Sequence, residues 1–384
     1  FYRLVKLRNT ESKRLNFISA LNSESHLLYK ISQNFFVDLP GYGFGYWLKP
    51  NIVSLLNQEE KLSTHFYSDG KNVTGSNNKY LRFHWEVSRQ KVDNEIKWFL
   101  LAKGGTGRKW YGNVENVIDW SKDARVHYRK SKIGRIIPEY LWSKPGITWS
   151  KISSGLPTFR YRPDDVTFDE VQITTDDLTL IEPALGLLNS KFAADVLEFF
   201  NPTLSIQIKD ILNVPVNMNV LGSDEALISA VRQNSKFATK DWNRREESFG
   251  FETPLISIDK NPIKEQYFLI GEMIHQELNE WFKNDQVINE RVHFALYGIK
   301  DDHFSLVPDD ITIFDDIIQI GSELEEIVKS SDLRYKISLL NVTSQLISYI
   351  VGNLFGRYSI EKPGLVLANQ GENLQNFLDQ IPNP

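Results

Sequence analysis

EIKWFLLA (residues 95–102) runs directly into KGGTGRKWYGN (103–113), and this junction decides how the chain is read. The first eight residues alternate with period two, which predicts a strand. The glycines that follow interrupt any helix and let the backbone come close to a ligand. Lys103, Arg108 and Lys109 stand among them beside Trp110 and Tyr111. Outward from this point the texture persists. YLRFHWEV (80–87) alternates in the same way, and GITWSKISSG (146–155) repeats the mixture of cation, aromatic and glycine. Residues 80–180 therefore read as short strands parted by Gly, Asn, Asp and Pro turns.

The flanks are helical. Apolar positions at Leu4, Leu7, Phe17, Leu21, Leu27, Leu28 and Ile31 predict a helix or helix pair over 1–35, closed by the Gly/Pro/aromatic boundary VDLPGYGFGYWLKP (37–50). Leu185, Leu188, Phe192, Val196 and Phe199 share one face of a helix predicted over 183–200, which Asn201-Pro202 ends. Segments 222–234, 263–297, 315–330 and 335–355 are also expected to be helical. With 384 residues the chain exceeds one compact core, so two or three domains are expected.

Charge is divided unevenly. Residues 71–165 carry 19 Lys and Arg against 9 Asp and Glu, whereas 166–384 carry 17 against 34. A basic segment in an otherwise acidic chain suits a localised polyanion-binding face, and equally a solvated basic surface that binds nothing. No apolar run approaches the roughly 18 residues that would span a membrane, and no signal peptide is visible. The absence of cysteine excludes disulfides, thiolate metal sites and a cysteine nucleophile, and is compatible with a cytoplasmic location. Because the chain starts at Phe1 in a polar, helix-like stretch, it is expected to be an excised part of a longer polypeptide.

Several chemical motifs fail on inspection. GYGFG (41–45) has the glycine density of a nucleotide-cradling turn, but no βαβ pattern surrounds it and Pro40 interrupts the approach, so a structural turn is expected. GGTG (104–107) lacks the Gly-Lys-Ser/Thr ending of a phosphate-binding loop. The histidines show no metal-ligand spacing. Asp69 with Glu95 and Lys97 is the nearest approach to a magnesium-dependent nuclease centre, a spacing that arises easily by chance. The Asn-Pro pairs at 201–202, 261–262 and 383–384 are not followed by the proline and aromatic of a loop that holds a flipped base. The sequence thus points to binding rather than to catalysis.

The binding candidates are Lys71, Lys79, Arg82, Lys103, Arg108, Lys109, Lys151, Arg160 and Arg162, interleaved with Trp85, Trp98, Trp110, Tyr111, Trp149 and Tyr161. Asn77, Asn78 and Ser153 add hydrogen-bonding groups on loops. Arginine can read guanine edges and asparagine adenine edges, while lysine mostly meets phosphate. Each tryptophan alone is better explained by core packing; the glycine-flanked Arg108, Lys109 and Tyr111 together favour ligand contact.

In combination these segments resemble the C-terminal part of PglX-type adenine-specific DNA methyltransferases of BREX phage-defence systems, and more distantly the restriction-methylation fusion enzymes. The resemblance runs through TGSNNKYLRFHWEV (74–87), KWFLLAKGGTGRKWYGN (97–113), GITWSKISSG (146–155), LGLLNSKFAADVLEFFNPTLSIQIKDILNVPV (185–216), KDWNRREESFGF (240–251), HFALYGIKDD (293–302) and ISYIVGNLFGRYSIEKPGLV (347–366). It implies an α+β fold: a helical linker from a missing methyltransferase core (1–37), a mixed, strand-rich target-recognition domain (38–216) and a helical C-terminal domain (217–384). It implies recognition of double-stranded DNA, and places the family's binding positions on the TGSNN loop, including Thr74, and on the KGGTGRKWYG loop. S-adenosylmethionine is expected for the full-length parent and no cofactor for this segment, which alone is expected to be non-catalytic. Other phage-defence proteins are expected partners, and a protein-interaction module remains the alternative reading.

Overall fold

The computed structural model describes residues 1, 2, 4, 9–22, 28–48, 50–57, 60–152, 157–256, 261–297, 318–320, 335–337 and 339–381. An N-terminal helix α1 (Thr10–Asn22) and the short α2 (Pro50–Leu56) precede a strand-rich region. That region holds α3 (Asn77–Tyr80), β1 (Leu81–Phe83), β2 (Trp98–Ala102), β3 (Asn116–Asp119), α4 (Lys122–Lys130), β4 (Gly146–Trp149), β5 (Phe159–Arg162), β6 (Val166–Phe168) and β7 (Gln172–Ile173). Helices follow: α5 (Ile181–Leu188), α6 (Lys191–Phe200), α7 (Ile208–Leu212), α8 (Met218–Gly222), α9 (Glu225–Asn243) and α10 (Ile263–Tyr297). The strand pair β8 (Ile318–Ile320) and β9 (Tyr335–Ile337), then α11 (Leu339–Leu354) and α12 (Leu374–Gln380), complete the α+β fold.

Two small sheets organise the strand region. One has the order β1-β3-β2-β6, antiparallel except where β2 meets β6 in parallel, with Phe99 opposite Ile118 and Leu101 opposite Thr167. The alternation in β2 has a direct consequence, because successive side chains leave a strand on opposite faces. Phe99 and Leu101 pack with Ile118, Trp120 and Tyr128, under α4, while Trp98, Leu100 and Ala102 pack with Val117 and Val166 on the other side. Both faces are buried, so every residue of β2 is apolar. The second sheet, β5-β4-β7, is antiparallel throughout.

The largest core joins this second sheet to the helices. Ile147, Trp149, Phe159 and Ile173 lie in one cluster with Leu185 and Leu188 of α5, Leu227 and Val231 of α9, and Ile288 and Val292 of α10. Apolar side chains from both sides of residue 216 therefore share that core. Helices α9 and α10 are also tied by a buried bond from Asn234 to Asp285 at 2.7 Å. Two of the three glycines of GYGFG serve packing, and the third, Gly41, takes a left-handed φ of 66°, as expected of a structural turn. A Cβ at Gly43 or Gly45 would sit 2.6 Å from the Phe199 ring, which α6 lays against this turn.

Three departures from the periodicity are instructive. The helix expected over 183–200 is two helices, α5 and α6, parted at Asn189 and Ser190. Asn189 exchanges two hydrogen bonds with the backbone of Phe159, both at 3.0 Å, and the Ser190 side chain caps α6 by accepting from Ala193 N at 3.3 Å. The YLRFHWEV run contributes only the three residues of β1 before the backbone turns into a 3-10 helix over His84–Glu86. Inside the 315–330 segment expected to be helical, β8 pairs with β9, Ile318 opposite Ile337; the alternating isoleucines suit a strand, and the rest of that segment lies outside the described residues.

Candidate nucleic-acid interface

The two motifs that opened the sequence reading meet in space. At the end of β4, Ser150 Oγ donates to Gly105 O at 3.1 Å and accepts from Gly105 N at 3.3 Å. The 103–113 loop closes on itself where Lys103 N donates to Asn113 O at 3.2 Å. It is then stitched to β5, with Trp110 N donating to Phe159 O and Tyr161 N to Trp110 O, both at 2.8 Å. Trp110 (φ 71°) and Asn113 (φ 59°) both occupy the left-handed region. For non-glycine residues this costs about 1–3 kcal/mol each, and it persists only where the surroundings fix it. Complete burial of Trp110 and its two backbone bonds supply that constraint.

The arginines of this block point inward. Arg108 forms a buried ion pair with Asp241 at the end of α9, and its guanidinium lies 5.3 Å from the Trp242 ring. Gly112 (φ 128°) permits this docking, because a Cβ there would meet Trp242 at 2.9 Å. Arg160 and Arg162 are each only 1% exposed. Arg160 reaches Ser150 Oγ and Arg108 O at 3.4 Å; burial and the neighbouring Arg108 pull it down to about 10, so it remains charged at neutral pH. Arg162 donates to Gln172 Oε1 at 3.0 Å and to the carbonyls of Lys144, Pro163 and Val166. Lys109 is buried as well, and burial pushes the half-buried Tyr111 phenol up to about 12. Desolvating a cation costs several kcal/mol unless partners replace the water. Arg108 has such a partner in Asp241, and Arg160 bonds to the carbonyl of Arg108 in the loop, whereas the bonds of Arg162 run to Gln172 and to the carbonyls of Lys144, Pro163 and Val166.

Solvent-facing cations gather elsewhere, around TGSNN. Buried Thr74 shapes that loop: its hydroxyl donates to Asn77 Oδ1 at 2.7 Å and accepts from Ser76 N at 3.1 Å. Asn77, Asn78 and Lys79 are exposed on α3, and Arg82 donates back to Asn78 O at 2.7 Å. The loop is braced on α4 and the turn after it. His127 donates to Thr74 O at 3.2 Å and stacks on Tyr80 at 4.8 Å, while Val73 and Arg135 exchange backbone bonds at 2.9 and 2.8 Å. Exposed Lys122, Arg129, Lys130, Lys132 and Arg135 continue the basic ridge. The binding candidates read from the sequence do not include this stretch of the ridge. Its signal was RVHYRKSKIGR (125–135), with five Lys or Arg in 11 residues.

Lys103 and Lys151 are half-exposed and line a cleft of about 280 Å³ with Asp169 and Glu170. Lys151 pairs with Glu170 at 2.9 Å, and burial raises the Asp169 carboxyl above its ordinary value against the pull of Lys103. Lys71 is exposed, and Ser153 lies outside the described residues. Among the described residues no group of three or more His, Asp or Glu is placed to hold a metal ion, and no helix is long and apolar enough to cross a membrane.

With this geometry in view, comparison with characterised proteins makes the chain a partial homologue of PglX-type adenine-specific methyltransferases. It is 28% identical, over an alignment of 412 positions, to adenine-specific methyltransferase PglX of Lacticaseibacillus casei (strain Zhang), covering all of this chain and 32% of that protein. It is 27% identical over 383 positions to adenine-specific methyltransferase BrxX of Escherichia coli O9:H4 (strain HS), covering 97% of this chain and 30% of that protein. The chain thus spans about a third of the length of the curated relatives it matches. No family model matches it.

Proposed function

We propose that this chain is the DNA-recognising part of an adenine-specific DNA methyltransferase of a BREX-type phage-defence system, working in the cytoplasm. Residues 38–216 engage duplex DNA and 217–384 brace them. The methyl transfer itself, with S-adenosylmethionine, belongs to another part of the longer enzyme, into which the target adenine is flipped. The observation that carries this reading is the exposed ridge of Lys79, Arg129, Lys130, Lys132 and Arg135 around the Asn77–Asn78 loop. Cations there suit phosphates, and the paired asparagine amides suit adenine edges. The cleft of Lys103 and Lys151 adds a second contact, its carboxylates able to accept from a base amino group.

The test is duplex binding by fluorescence anisotropy across salt. Six or more phosphate contacts predict a loss of roughly 10³-fold between about 50 and 200 mM salt. Reversing Arg129, Lys130 and Lys132 to Glu should abolish binding in a chain that still melts normally; unchanged binding refutes the ridge. A second reading, a protein-interaction surface for other defence proteins, draws on α11, where Leu340, Ile347, Val351 and Leu354 are exposed. Association that ignores salt would favour it.

A further inference from the structure

A second cleft, of about 270 Å³, opens between His84–Arg89 and the C-terminal segment Leu365–Gln370. One wall is aromatic. It is formed by Trp85, which stacks face to face on Phe83 just outside the cleft, 4.6 Å apart and 4° from parallel, and the two rings are 40% and 41% exposed. The turn that presents them is fixed: Glu86 accepts from Phe83 N at 2.8 Å, and His84 Nε2 donates to Glu247 O at 2.8 Å. The floor is the Arg89 guanidinium, 3.9 Å above the Phe249 ring and bonded to Phe249 O at 2.9 Å. The opposite wall is stapled in place, with Arg89 N donating to Ala368 O at 3.1 Å, Gln90 N to Asn369 Oδ1 at 2.9 Å and Gln370 N to Ser88 Oγ at 3.0 Å. Arg357 stands at the rim, its side chain 42% exposed and 4.0 Å from Glu246.

This combination is specific in chemistry. A stacked aromatic pair left in water forgoes the free energy of covering its apolar surface, which a flat ligand would recover. Two guanidiniums beside it suit an anion, by charge and by paired N–H donors. The volume falls just below the roughly 300–1,000 Å³ of small-molecule sites, which leaves room for one heterocycle and not for a dinucleotide cofactor. The walls are already joined by backbone hydrogen bonds, so little ordering is needed on binding.

We propose that this cleft binds one purine nucleoside monophosphate unit, with its base laid on Trp85 and its phosphate turned to Arg357 and Arg89. The unit is either a free nucleotide or an unpaired nucleotide of a DNA strand. The cleft does not depend on the basic ridge for its geometry, and the two are tested by separate variants.

The probe is 2-aminopurine, whose fluorescence is quenched when it stacks. It is supplied as the free riboside 5′-monophosphate, as the unphosphorylated riboside, and as a single unpaired position in a duplex. Quenching of the free monophosphate by the chain identifies a nucleotide site; quenching only within DNA identifies a seat for an extrahelical base; either supports the proposal. Trp85→Ala should weaken the quenched complex by about 10-fold or more, and Trp85→Phe should retain it. Arg357→Gln should weaken the monophosphate and leave the riboside unchanged, which decides the matter should Trp85→Ala fail to fold. Absence of quenching with every probe, or equal quenching by folded Trp85→Ala, overturns the proposal. The Glu variants of Arg129, Lys130 and Lys132 should lose duplex affinity while still binding the free monophosphate, so failure of one reading is distinct from failure of the other.

Discussion

Replacing Asp241 with Asn tests directly whether Arg108 is a structural anchor or a DNA contact. Both side chains are nearly inaccessible, 5% and 4% exposed, and they pair across the junction between the 103–113 loop and the end of α9. Removing one partner of a buried pair leaves an uncompensated charge, at a cost of about 3–5 kcal/mol. At roughly 2–4 °C per kcal/mol for domains of 150–250 residues, and less for a longer chain, the melting temperature should fall by about 5–15 °C. The double variant Arg108→Met, Asp241→Leu removes both charges and should recover most of that loss, because apolar side chains of similar size can replace a buried pair at little cost. Differential scanning fluorimetry of Arg108→Met, Asp241→Leu and the double variant closes the cycle and gives the coupling energy; duplex anisotropy below the melting transition gives the binding. An anchor predicts strong coupling in stability and an unchanged salt slope for the double variant. Should Arg108→Met leave the melting temperature within about 1 °C while weakening duplex binding and flattening its salt dependence, the anchoring argument is refuted and Arg108 reads DNA.

Other expectations can be checked on the same instruments. Gly112→Ala combines a strained φ of 128° with a contact of 2.9 Å to Trp242, and should destabilise by about 2–4 kcal/mol. Asn189→Ala removes both bonds to the Phe159 backbone and strands a buried N–H and C=O, a loss of about 2–4 kcal/mol read from the same melts. Burial, reinforced by Arg89 and Arg357, holds the His84 imidazole below its ordinary 6.5 despite the opposing bond to Glu247 O. The unfolded chain therefore takes up a proton near pH 6.5 that the folded chain refuses, and stability drops as pH falls below that value. Between about pH 7.5 and 5.5 the melting temperature should fall more for the native chain than for His84→Gln; equal slopes would remove His84 from the account.

What the sequence disclosed was what is local. Helix α10 follows the predicted 263–297 span because its core side chains, Ile274, Leu278 and Trp281, repeat at the helical period without reference to anything else. Strand β2 was legible for the same reason. The break between α5 and α6 was not, since the apolar stripe from Leu185 to Phe199 runs on across it. Its cause is Asn189 pairing with a backbone 30 residues away. The site divides along the same line. Asn77, Asn78 and Lys79 open the short helix α3 behind the Gly75–Ser76 turn, a Gly/Ser/Asn cluster that shows in the sequence, whereas Arg108 depends on Asp241, 133 residues away, and Arg160 on the carbonyl of Arg108, 52 residues away.

The basic character of 71–165 survives this rearrangement with different residues carrying it. Setting the four buried cations Arg108, Lys109, Arg160 and Arg162 aside from the 19 leaves 15 facing 9 acids. The surface is still strongly positive, and Arg108 is answered by an acid from the negative half of the chain. A buried ion pair contributes nothing to counterion release, because it meets no phosphate; an exposed lysine on a phosphate contributes about one unit of salt slope. The salt dependence of duplex binding should therefore track substitutions at Lys79 and along 122–135, one by one. It should ignore substitutions at Arg160 and Arg162, which at 1% exposure can change affinity only by unfolding the sheet that holds the loops.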